Sequence, residues 1–242
     1  MFKYIFSFFK CLLMNISVVI CAKNEEKYIE KCLKCLKNQT KKPSEIIMVD
    51  GHSTDKTAKI AKKYVNKVVK DNKRGIADAR NVGWKNAKNE IIAYCDADCL
   101  PRKDWIEKIS KFMDDNICIS GPLYPYDGDA LMKVAYKFWT NFMTRFFGFL
   151  GLQYIWGSNM ILRKEVLKKH RFRTNILEDY DLARRIKKVG RIRYFKELLM
   201  PVSSRRLRHG FHISMFKFYI RNFLRLRFGF KEKVGTYWKD LK

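Results

Sequence analysis

Ile16-Ser-Val-Val-Ile-Cys21 is the stretch from which the fold can be predicted, because it is a nearly unbroken run of β-branched and apolar residues. Such a run, without alternating polar positions, is typical of a strand buried on both faces of a sheet. Asn24 follows as a candidate helix N-cap, and apolar side chains then recur at helical spacing from Tyr28 to Leu36. The sequence therefore predicts a buried strand followed by a helix.

The same order of strand and helix recurs along the first half of the chain. Further buried strands are predicted at Glu45–Asp50 and Glu90–Cys95, and a short strand is predicted at Asn66–Lys70. The predicted helices between them are one capped by Ser53 or Thr54 and ending near Tyr64, one at Gly75–Ala87, and one from Pro101 through Phe112. Four alternations predict an α/β fold, in which a doubly wound, mostly parallel sheet carries helices on both faces.

The second half of the chain has a less regular pattern. Strands are predicted at Ile117–Ser120, Tyr154–Leu162 and Ile192–Phe195. The predicted helices are a long aromatic helix or helix pair at Gly128–Leu150, an amphipathic helix at Glu178–Val189 with Gly190 at its C′ position, and a basic amphipathic helix at His212–Phe228. An irregular region and a basic C-terminal helix are therefore expected to follow the regular α/β half.

The chain is strongly basic, with 51 Lys and Arg against 24 Asp and Glu in 242 residues, a formal net charge of +27. This sign indicates an anionic partner, such as a membrane surface or a phosphorylated ligand, although heavy lysine use alone is an alternative. The sequence contains no nucleic-acid-binding motif, so no nucleic acid is expected. Seven cysteines without a secretory signal favour a reducing cytoplasm over a disulfide framework.

Two stretches are apolar, aromatic and basic at the same time, namely Leu131–Trp156 and Phe211–Phe230. No run reaches the roughly 18 to 20 apolar residues that cross a bilayer. The composition suits segments that lie on an anionic membrane surface. We therefore expect a cytoplasmic protein that is peripheral on the cytoplasmic face of the membrane.

Short polar clusters follow three of the predicted strands, beginning at Ala22, Asp50 and Asp96. In an open parallel sheet the ligand crevice lies at the carboxyl ends of the strands, so the three loops are expected to converge. Gly75 and Arg80 open a helix beside the same edge, where Arg80 is a candidate partner for a phosphate or a base. There is no P-loop, and no G-x-G-x-x-G follows the first strand, which disfavours kinases, ATPases and dinucleotide dehydrogenases.

Asp96-Ala-Asp98 places two carboxylates at alternate positions of an extended segment, so both can face one ligand. Paired hard oxygens suit Mg²⁺ or Mn²⁺, which bridge the oxygens of a diphosphate, and a solvated turn is the alternative. Asp50, directly after its strand, can accept an N–H from a nucleobase. Its alternative role is to order its own turn.

Five motifs occur in a characteristic order: 17–25 (Ser17 to Glu25), Val49–Asp55, Gly75 to Gly83 with Ala79-Arg-Asn81, Asp96-Ala-Asp98, and Glu178-Asp179. Together they resemble the family 2 glycosyltransferases, inverting enzymes with the GT-A fold and an Asp-x-Asp site. Order and spacing agree from about Asn15 to Arg206. The resemblance implies metal-assisted transfer of a sugar from a nucleotide-diphosphate sugar to an acceptor.

The resemblance also implies residue roles. Asp50 would contact the base, Asp96 the ribose, and Arg80 the nucleotide, while Asp98 would bind Mg²⁺ or Mn²⁺. The donor site would be completed by Ala22, Asn24 and Glu25. Asp179 would be the general base, although plain N-terminal capping, or the use of Glu178 or Asp181 instead, stays open.

The resemblance further assigns the acceptor site and the domain boundaries. Trp156, Gly157, Ser158 and Glu178 would shape the acceptor pocket, with plain core packing as the alternative for Trp156. Arg205 and Arg206 would reach the diphosphate or form a solvated basic loop. The expected domains are an apolar extension at 1–14, a GT-A domain at 15–210 (nucleotide-binding half 15–115, acceptor half 116–210), and a basic amphipathic segment at 211–242.

The expected acceptor is a glycan, a protein or a lipid-linked molecule. One competing function is that of a sugar nucleotidyltransferase, but the Gly-rich, Arg-containing loop expected after its first strand is absent, and Lys23-Asn-Glu-Glu26 stands there instead. The other is a non-catalytic membrane-surface binding protein, driven by the positive charge.

Overall fold

A computed structural model of the chain describes residues 14–149, 155–173 and 177–205, and the structural statements below concern these residues. The strands are β1 (Ile16–Ala22), β2 (Glu45–Asp50), β3 (Lys67–Lys70), β4 (Ile91–Asp96), β5 (Cys118–Ser120), β6 (Leu123–Pro125), β7 (Asn159–Arg163), β8 (Ile192–Tyr194) and β9 (Met200–Val202). The helices are α1 (Ile29–Lys37), α2 (Thr57–Ala61), α3 (Ile76–Asn86), α4 (Trp105–Phe112), α5 (Ala130–Phe149), α6 (Lys164–Lys169) and α7 (Glu178–Ile186).

Seven strands form the central sheet in the order β3-β2-β1-β4-β7-β5-β8. β1 pairs in parallel with β2 and β4, and β2 pairs in parallel with β3. β7 is antiparallel to both of its neighbours, whereas β5 and β8 are parallel to each other. The mostly parallel α/β sheet is therefore confirmed, with β7 as its antiparallel member.

The strand register aligns several strand ends at one edge of the sheet. Ala22 pairs with Asp50 across β1 and β2, and Cys21 pairs with Asp96 across β1 and β4. Since β7 runs in the opposite direction, its first residue, Asn159, pairs with Cys95 at this same edge. The segment that precedes β7 therefore joins the carboxyl ends of β1, β2 and β4, and we call this the carboxyl edge.

Helices cover both faces of the sheet because β1 is apolar on both of its sides. Val18 and Ile20 lie in one buried cluster with side chains of α1 and α4. Val19 lies in a second cluster with side chains of α3, α6 and α7. The two clusters confirm the doubly wound arrangement with helices on both faces.

The second half adds three elements that the sequence pattern did not predict. β6 and β9 form a separate parallel pair, and α6 follows β7 directly. The predicted strand at 154–162 starts only at Asn159, because Gly157 and Ser158 form a turn. The long aromatic helix is confirmed as α5.

Three predicted helix boundaries are wrong. α1 begins at Ile29, so Asn24 is not its N-cap, and α2 begins at Thr57 without a cap from Ser53 or Thr54. These polar side chains instead bind between loops, as described below. α7 ends at Ile186, and Gly190 lacks the positive φ of a left-handed C′ glycine.

Several predictions lie outside the described residues. These are the apolar extension over 1–13, the basic helix at 212–228, the segment 211–242, and Arg206. In the part of the chain that the structure describes, no helix has the length and apolar character needed to cross a membrane.

Candidate functional site

The loops after β1 and β2 are joined by a set of hydrogen bonds. The backbone N–H of Asn24 donates to Ser53 Oγ at 3.0 Å, and Asn24 Oδ1 accepts from the N–H of Thr54 at 2.8 Å. The N–H of Glu25 donates to Thr57 Oγ1 at 2.7 Å. Asn24 has φ 56°, a left-handed conformation that asparagine tolerates better than most residues. These bonds explain why the polar residues after both strands serve loop geometry rather than helix capping.

A cavity of about 390 Å³ lies between the ends of β1 and β2 and the start of α3. Its lining includes Cys21, Ala22, Lys23, Val49, Gly51, His52, Asp71, Lys73, Gly75, Ile76 and Ala79. His52 Nε2 lies 2.9 Å from the carbonyl oxygen of Asp71, which ties the loop after β2 to the loop after β3. Gly75 has φ 94°, so a side chain here would strain the backbone where α3 approaches the cavity.

Two predicted donor residues are more deeply placed than the sequence indicates. Asp50 is 3% exposed, is not among the residues lining the cavity, and its Oδ1 accepts the N–H of Ser53 at 3.0 Å. That geometry corresponds to the turn-ordering alternative for Asp50. Arg80 is 4% exposed and is likewise not part of the cavity wall.

Arg80 joins α3 to α7 inside the protein. Its guanidinium pairs with Glu178 Oε1 and lies 3.8 Å from Asp96 Oδ1. Burial alone would lower the pKa of Arg80, but the carboxylates of Glu178 and Asp96 outweigh it and raise that pKa, so the guanidinium stays charged. For Glu178, burial outweighs the opposing effect of Arg80 and raises the pKa to about 7.

Gly157 leaves the space that Arg80 occupies. A Cβ at position 157 would lie 2.3 Å from Arg80 Nη2 and 2.7 Å from its Cζ, closer than any real contact. The turn before β7 therefore packs directly on the buried guanidinium. This contact places the second half of the chain against the first at the carboxyl edge.

Asp179 is held by two backbone donors. The N–H of Gly157 donates to Asp179 Oδ2 at 2.9 Å, and the N–H of Tyr180 donates to Oδ1 at 2.8 Å. Burial raises the pKa of Asp179, and Arg80 opposes that rise. The side chain is partly exposed at the carboxyl edge, whereas Asp181 is paired with Arg185 at 2.9 Å.

Arg205 links the Asp-x-Asp segment to the loop after β1. Its Nε–H donates to Asp98 Oδ2 at 3.0 Å, and its Nη2–H donates to Glu25 Oε1 at 2.5 Å. The guanidinium also lies over the ring of Tyr28, 4.5 Å from its centroid. The predicted site residues Glu25, Asp98 and Arg205 are therefore brought together.

Asp127 fixes the loop that carries Arg205. Ser203 Oγ donates to Asp127 Oδ2 at 2.9 Å, and the N–H of Ser204 donates to Asp127 Oδ1 at 2.5 Å. No sequence motif marks Asp127, and none marks the cavity residues Asp71 and Lys73. Asp71 and Lys73 follow β3, so the rule that strand ends line the crevice would have found them.

The site offers few metal ligands of its own. Within the described ranges, no group of three His, Cys, Asp or Glu side chains is arranged to hold a metal ion. Asp96 and Asp98 supply two hard carboxylates, and Mg²⁺ or Mn²⁺ is commonly held by one or two carboxylates together with substrate phosphates. The donor set therefore fits a metal that is completed by a bound diphosphate.

The predicted acceptor residues lie at the same edge, but Trp156 is only 9% exposed and packs in the first hydrophobic cluster. Trp156 therefore corresponds to the core alternative. Ser158 follows Gly157 in the turn, and the carboxylate of Glu178 pairs with Arg80.

Comparison with known proteins gives consistent results. Glycosyltransferase AglE of Haloferax volcanii is 31% identical over 139 residues, which are 52% of this chain and 45% of AglE. The structure of Staphylococcus aureus TarS 1–349 in complex with UDP-GlcNAc superposes with a TM-score of 0.63 at 22% identity, covering 79% of this chain and 59% of that chain. The mannosyltransferase PcManGT from Pyrobaculum calidifontis, in complex with GDP-Man and Mn²⁺, has a TM-score of 0.65 at 19% identity, covering 95% and 69%.

These structural likenesses, at such low identity, concern the fold. The chain spans about half the length of AglE and less of several other relatives that it matches. The sequence profile described as "Glycosyl transferase family 2" matches residues 17–171, well over half of the chain. The chain therefore belongs to glycosyl transferase family 2.

Proposed function

We propose that this chain transfers a sugar from a nucleotide-diphosphate donor to the hydroxyl of an acceptor. The observation that carries the proposal is the meeting of Asp96, Asp98 and the partly exposed Asp179 at one sheet edge, beside a cavity of about 390 Å³. Donor-binding and proton-accepting groups are then within one site.

The donor nucleotide enters the cavity between β1, β2 and α3. Ala22, His52, Asp71 and Lys73 line it and offer apolar contact, hydrogen-bond acceptors and a cation. Asp50 does not line the cavity but orders the adjoining turn by accepting the N–H of Ser53. Asn24 and Glu25 keep the first loop in place. Asp96, which pairs in register with Cys21 of the cavity wall, is proposed to contact the ribose.

The diphosphate lies between Asp98 and Arg205. A divalent cation, when bound, would be held by Asp98 with support from Asp96 and would offset the negative charge of the departing diphosphate. Arg205 leaves Asp98 and turns to the diphosphate, and Arg206 is proposed to assist it. Mg²⁺ and Mn²⁺ both suit these oxygen ligands.

Asp179 accepts the proton of the attacking hydroxyl. Its two backbone donors fix the carboxylate, and the burial that raises its pKa makes it a stronger base. Glu178 is occupied by Arg80, and Asp181 by Arg185, so neither is free to take this role. Direct attack opposite the leaving group gives inversion at the anomeric carbon.

Arg80 acts as a positioning residue. It orients Glu178 and Asp96 from within the protein, and the turn at Gly157 packs on it. Since the N–H of Gly157 also holds Asp179, Arg80 indirectly sets the position of the base. Gly157, Ser158 and Glu178 thus contribute to the acceptor side by shape rather than by sugar contact.

The experiment is a calorimetric titration of nucleotide sugars with and without Mn²⁺ or Mg²⁺, starting with the UDP-GlcNAc and GDP-Man found in the structures of TarS and PcManGT. Wild type should bind at least one nucleotide sugar in a metal-dependent manner. Asp98→Asn should lose the metal dependence, whereas Asp115→Asn, a change at an exposed carboxylate after α4, should retain it. Absence of donor binding with either metal, or full metal-dependent binding by Asp98→Asn, would contradict the proposal.

A further inference from the structure

One side of α5 presents apolar side chains to solvent. Leu131 is 79% exposed, Val134 66% and Phe138 73%, and the row continues with Phe142 and Phe146 at 41% and 40%. At 3.6 residues per turn, these five positions fall within roughly 120° of the helix surface. We call them the α5 stripe. Isolated exposed apolar residues are common, but a contiguous row of this length on one helix marks an interaction surface.

The most exposed part of the stripe, at Leu131, Val134 and Phe138, faces away from the protein because the opposite side of α5 is the side that packs. Thr140 is 2% exposed and Met143 is 4% exposed, and Tyr136 packs against the first hydrophobic cluster. Along the stripe, the ring planes of Phe138, Phe142 and Phe146 are nearly parallel, at 11° and 15°. The helix is therefore anchored on one face and apolar on the other.

The charges of α5 indicate which partner binds the α5 stripe. Between Ala130 and Phe149 the sequence contains Lys133, Lys137 and Arg145 but no acidic residue. A second copy of α5 would bring like charges together. Residues 211–242 carry eight Lys and Arg and two Asp and Glu, so this segment would also bring positive charge to α5. An anionic lipid surface complements both the apolar stripe and the basic residues.

We propose that the α5 stripe docks this protein on an anionic lipid bilayer, with α5 lying along the interface. Aromatic and aliphatic side chains enter the boundary between headgroups and acyl chains, while Lys137, which is exposed beside the stripe, contacts a lipid phosphate. Lys133 lies over the ring of Tyr124 on the packed side of α5 and is not part of this contact. The proposal does not depend on sugar transfer, because it concerns a surface distinct from the cavity and the carboxylates.

The position of α5 connects the docked face to the carboxyl edge. α5 packs against β6, and β6 pairs with β9, which leads directly to the loop of Ser203, Ser204 and Arg205. That loop reaches Asp98. A bilayer against α5 would therefore lie close to the site, which suits an acceptor whose hydroxyl is carried on a lipid.

The test is flotation of the full chain with vesicles of phosphatidylcholine alone or mixed with phosphatidylglycerol. Wild type should float with the anionic vesicles, less at high salt, and bind the neutral vesicles at least tenfold more weakly. Leu131→Ser/Phe138→Ser should lower the partition coefficient on anionic vesicles at least tenfold. Serine is uncharged, so the loss would not arise from added repulsion. Val189→Ser, a change at another exposed apolar side chain, should bind like wild type.

A folding control keeps the outcomes distinct. The melting temperature of the double variant, followed by circular dichroism, should equal that of wild type, which would establish that the variant is folded. Three results would overturn the proposal: no flotation of wild type, equal flotation of the double variant, or a wild-type dimer that the double variant converts to a monomer without any vesicle binding. The second result would assign membrane binding to another part of the chain, and the third would assign the stripe to a second copy.

Discussion

Replacing Gly157 with alanine should destabilise the protein far more than one methyl group ordinarily does. The new Cβ would lie 2.3 Å from Arg80 Nη2 and 2.7 Å from both Cζ and Nη1. Arg80 has no room to yield, because it is 4% exposed and held by Glu178 and Asp96. Either the turn before β7 moves or the guanidinium leaves its two carboxylates.

The loss of stability can be estimated for both outcomes, movement of the turn or displacement of the guanidinium. Overpacking a buried site costs about 1 to 3 kcal/mol. Breaking a buried ion pair so that one charge loses its partner costs about 3 to 5 kcal/mol. We take about 3 kcal/mol as the expected loss, which corresponds to a fall in melting temperature of about 6 to 12 °C for a domain of this size.

The assay is thermal unfolding followed by circular dichroism, with Gly148→Ala as the matched control. A Cβ at position 148, inside α5, would meet no atom within 4 Å, so alanine should leave the melting temperature unchanged or raise it slightly. If Gly157→Ala melts within about 2 °C of wild type, Arg80 is not packed beneath the turn, and the role given to Arg80 is wrong.

Three further changes test other parts of the site. Burial raises the pKa of Glu178 from 4.5 to about 7, so the folded protein keeps this proton to a higher pH than the unfolded chain does. The contribution of the protonated Glu178 to the free energy of unfolding is therefore complete below pH 4.5 and is lost as the pH rises through 7. The melting temperature of wild type should therefore fall between pH 5 and pH 7 relative to that of Glu178→Gln, and parallel profiles would contradict the shift. Arg205→Ala removes a cation that lies 2.9 Å from Asp98 and competes with a metal ion for this carboxylate, so calorimetry should find severalfold tighter binding of Mn²⁺ alone. Unchanged or weaker binding would refute the competition between Arg205 and the metal. Asn24→Ala removes the acceptor of the Thr54 N–H and leaves φ at 56°, so chemical denaturation should show a loss of about 1 to 2 kcal/mol in the free energy of unfolding. Asn24→Gly should lose less, because glycine adopts this φ without strain, and equal losses would exclude the backbone contribution.

The parallel half of the sheet was predictable because its signal is local. β1, β2 and β4 are short apolar runs ending in polar residues, and that pattern gives both the burial and the edge at which the loops meet. The direction of β7 was not predictable in the same way, since an apolar run looks alike whichever way the strand runs. Short strands such as β6 and β9, three residues each, carry too little periodicity to be detected.

The candidate site was predicted as a set of residues but not as a set of contacts. The sequence predicts that Asp96, Asp98 and Asp179 share one site and leaves Arg205 open between a diphosphate contact and a solvated loop. In the structure Arg205 binds Asp98, and Asp179 lies at the same sheet edge. The sequence does not indicate that Arg80 is buried, because an arginine beside a phosphate and an arginine beneath a carboxylate look the same in a sequence. The partner that decides this, Glu178, lies 98 residues further along the chain.

The same long-range contacts link the proposed donor and acceptor sides of the site. The turn at Gly157 packs on Arg80 and donates its N–H to Asp179, so one peptide touches both the buried ion pair and the proposed base. Arg80 in turn approaches Asp96, on the proposed donor side. A ligand that moves Asp96 would therefore act on Asp179 through three contacts, those of Asp96 with Arg80, Arg80 with Gly157, and Gly157 with Asp179. This arrangement explains why β7 must be antiparallel: only then does the turn before it reach the carboxyl edge, where both contacts are made.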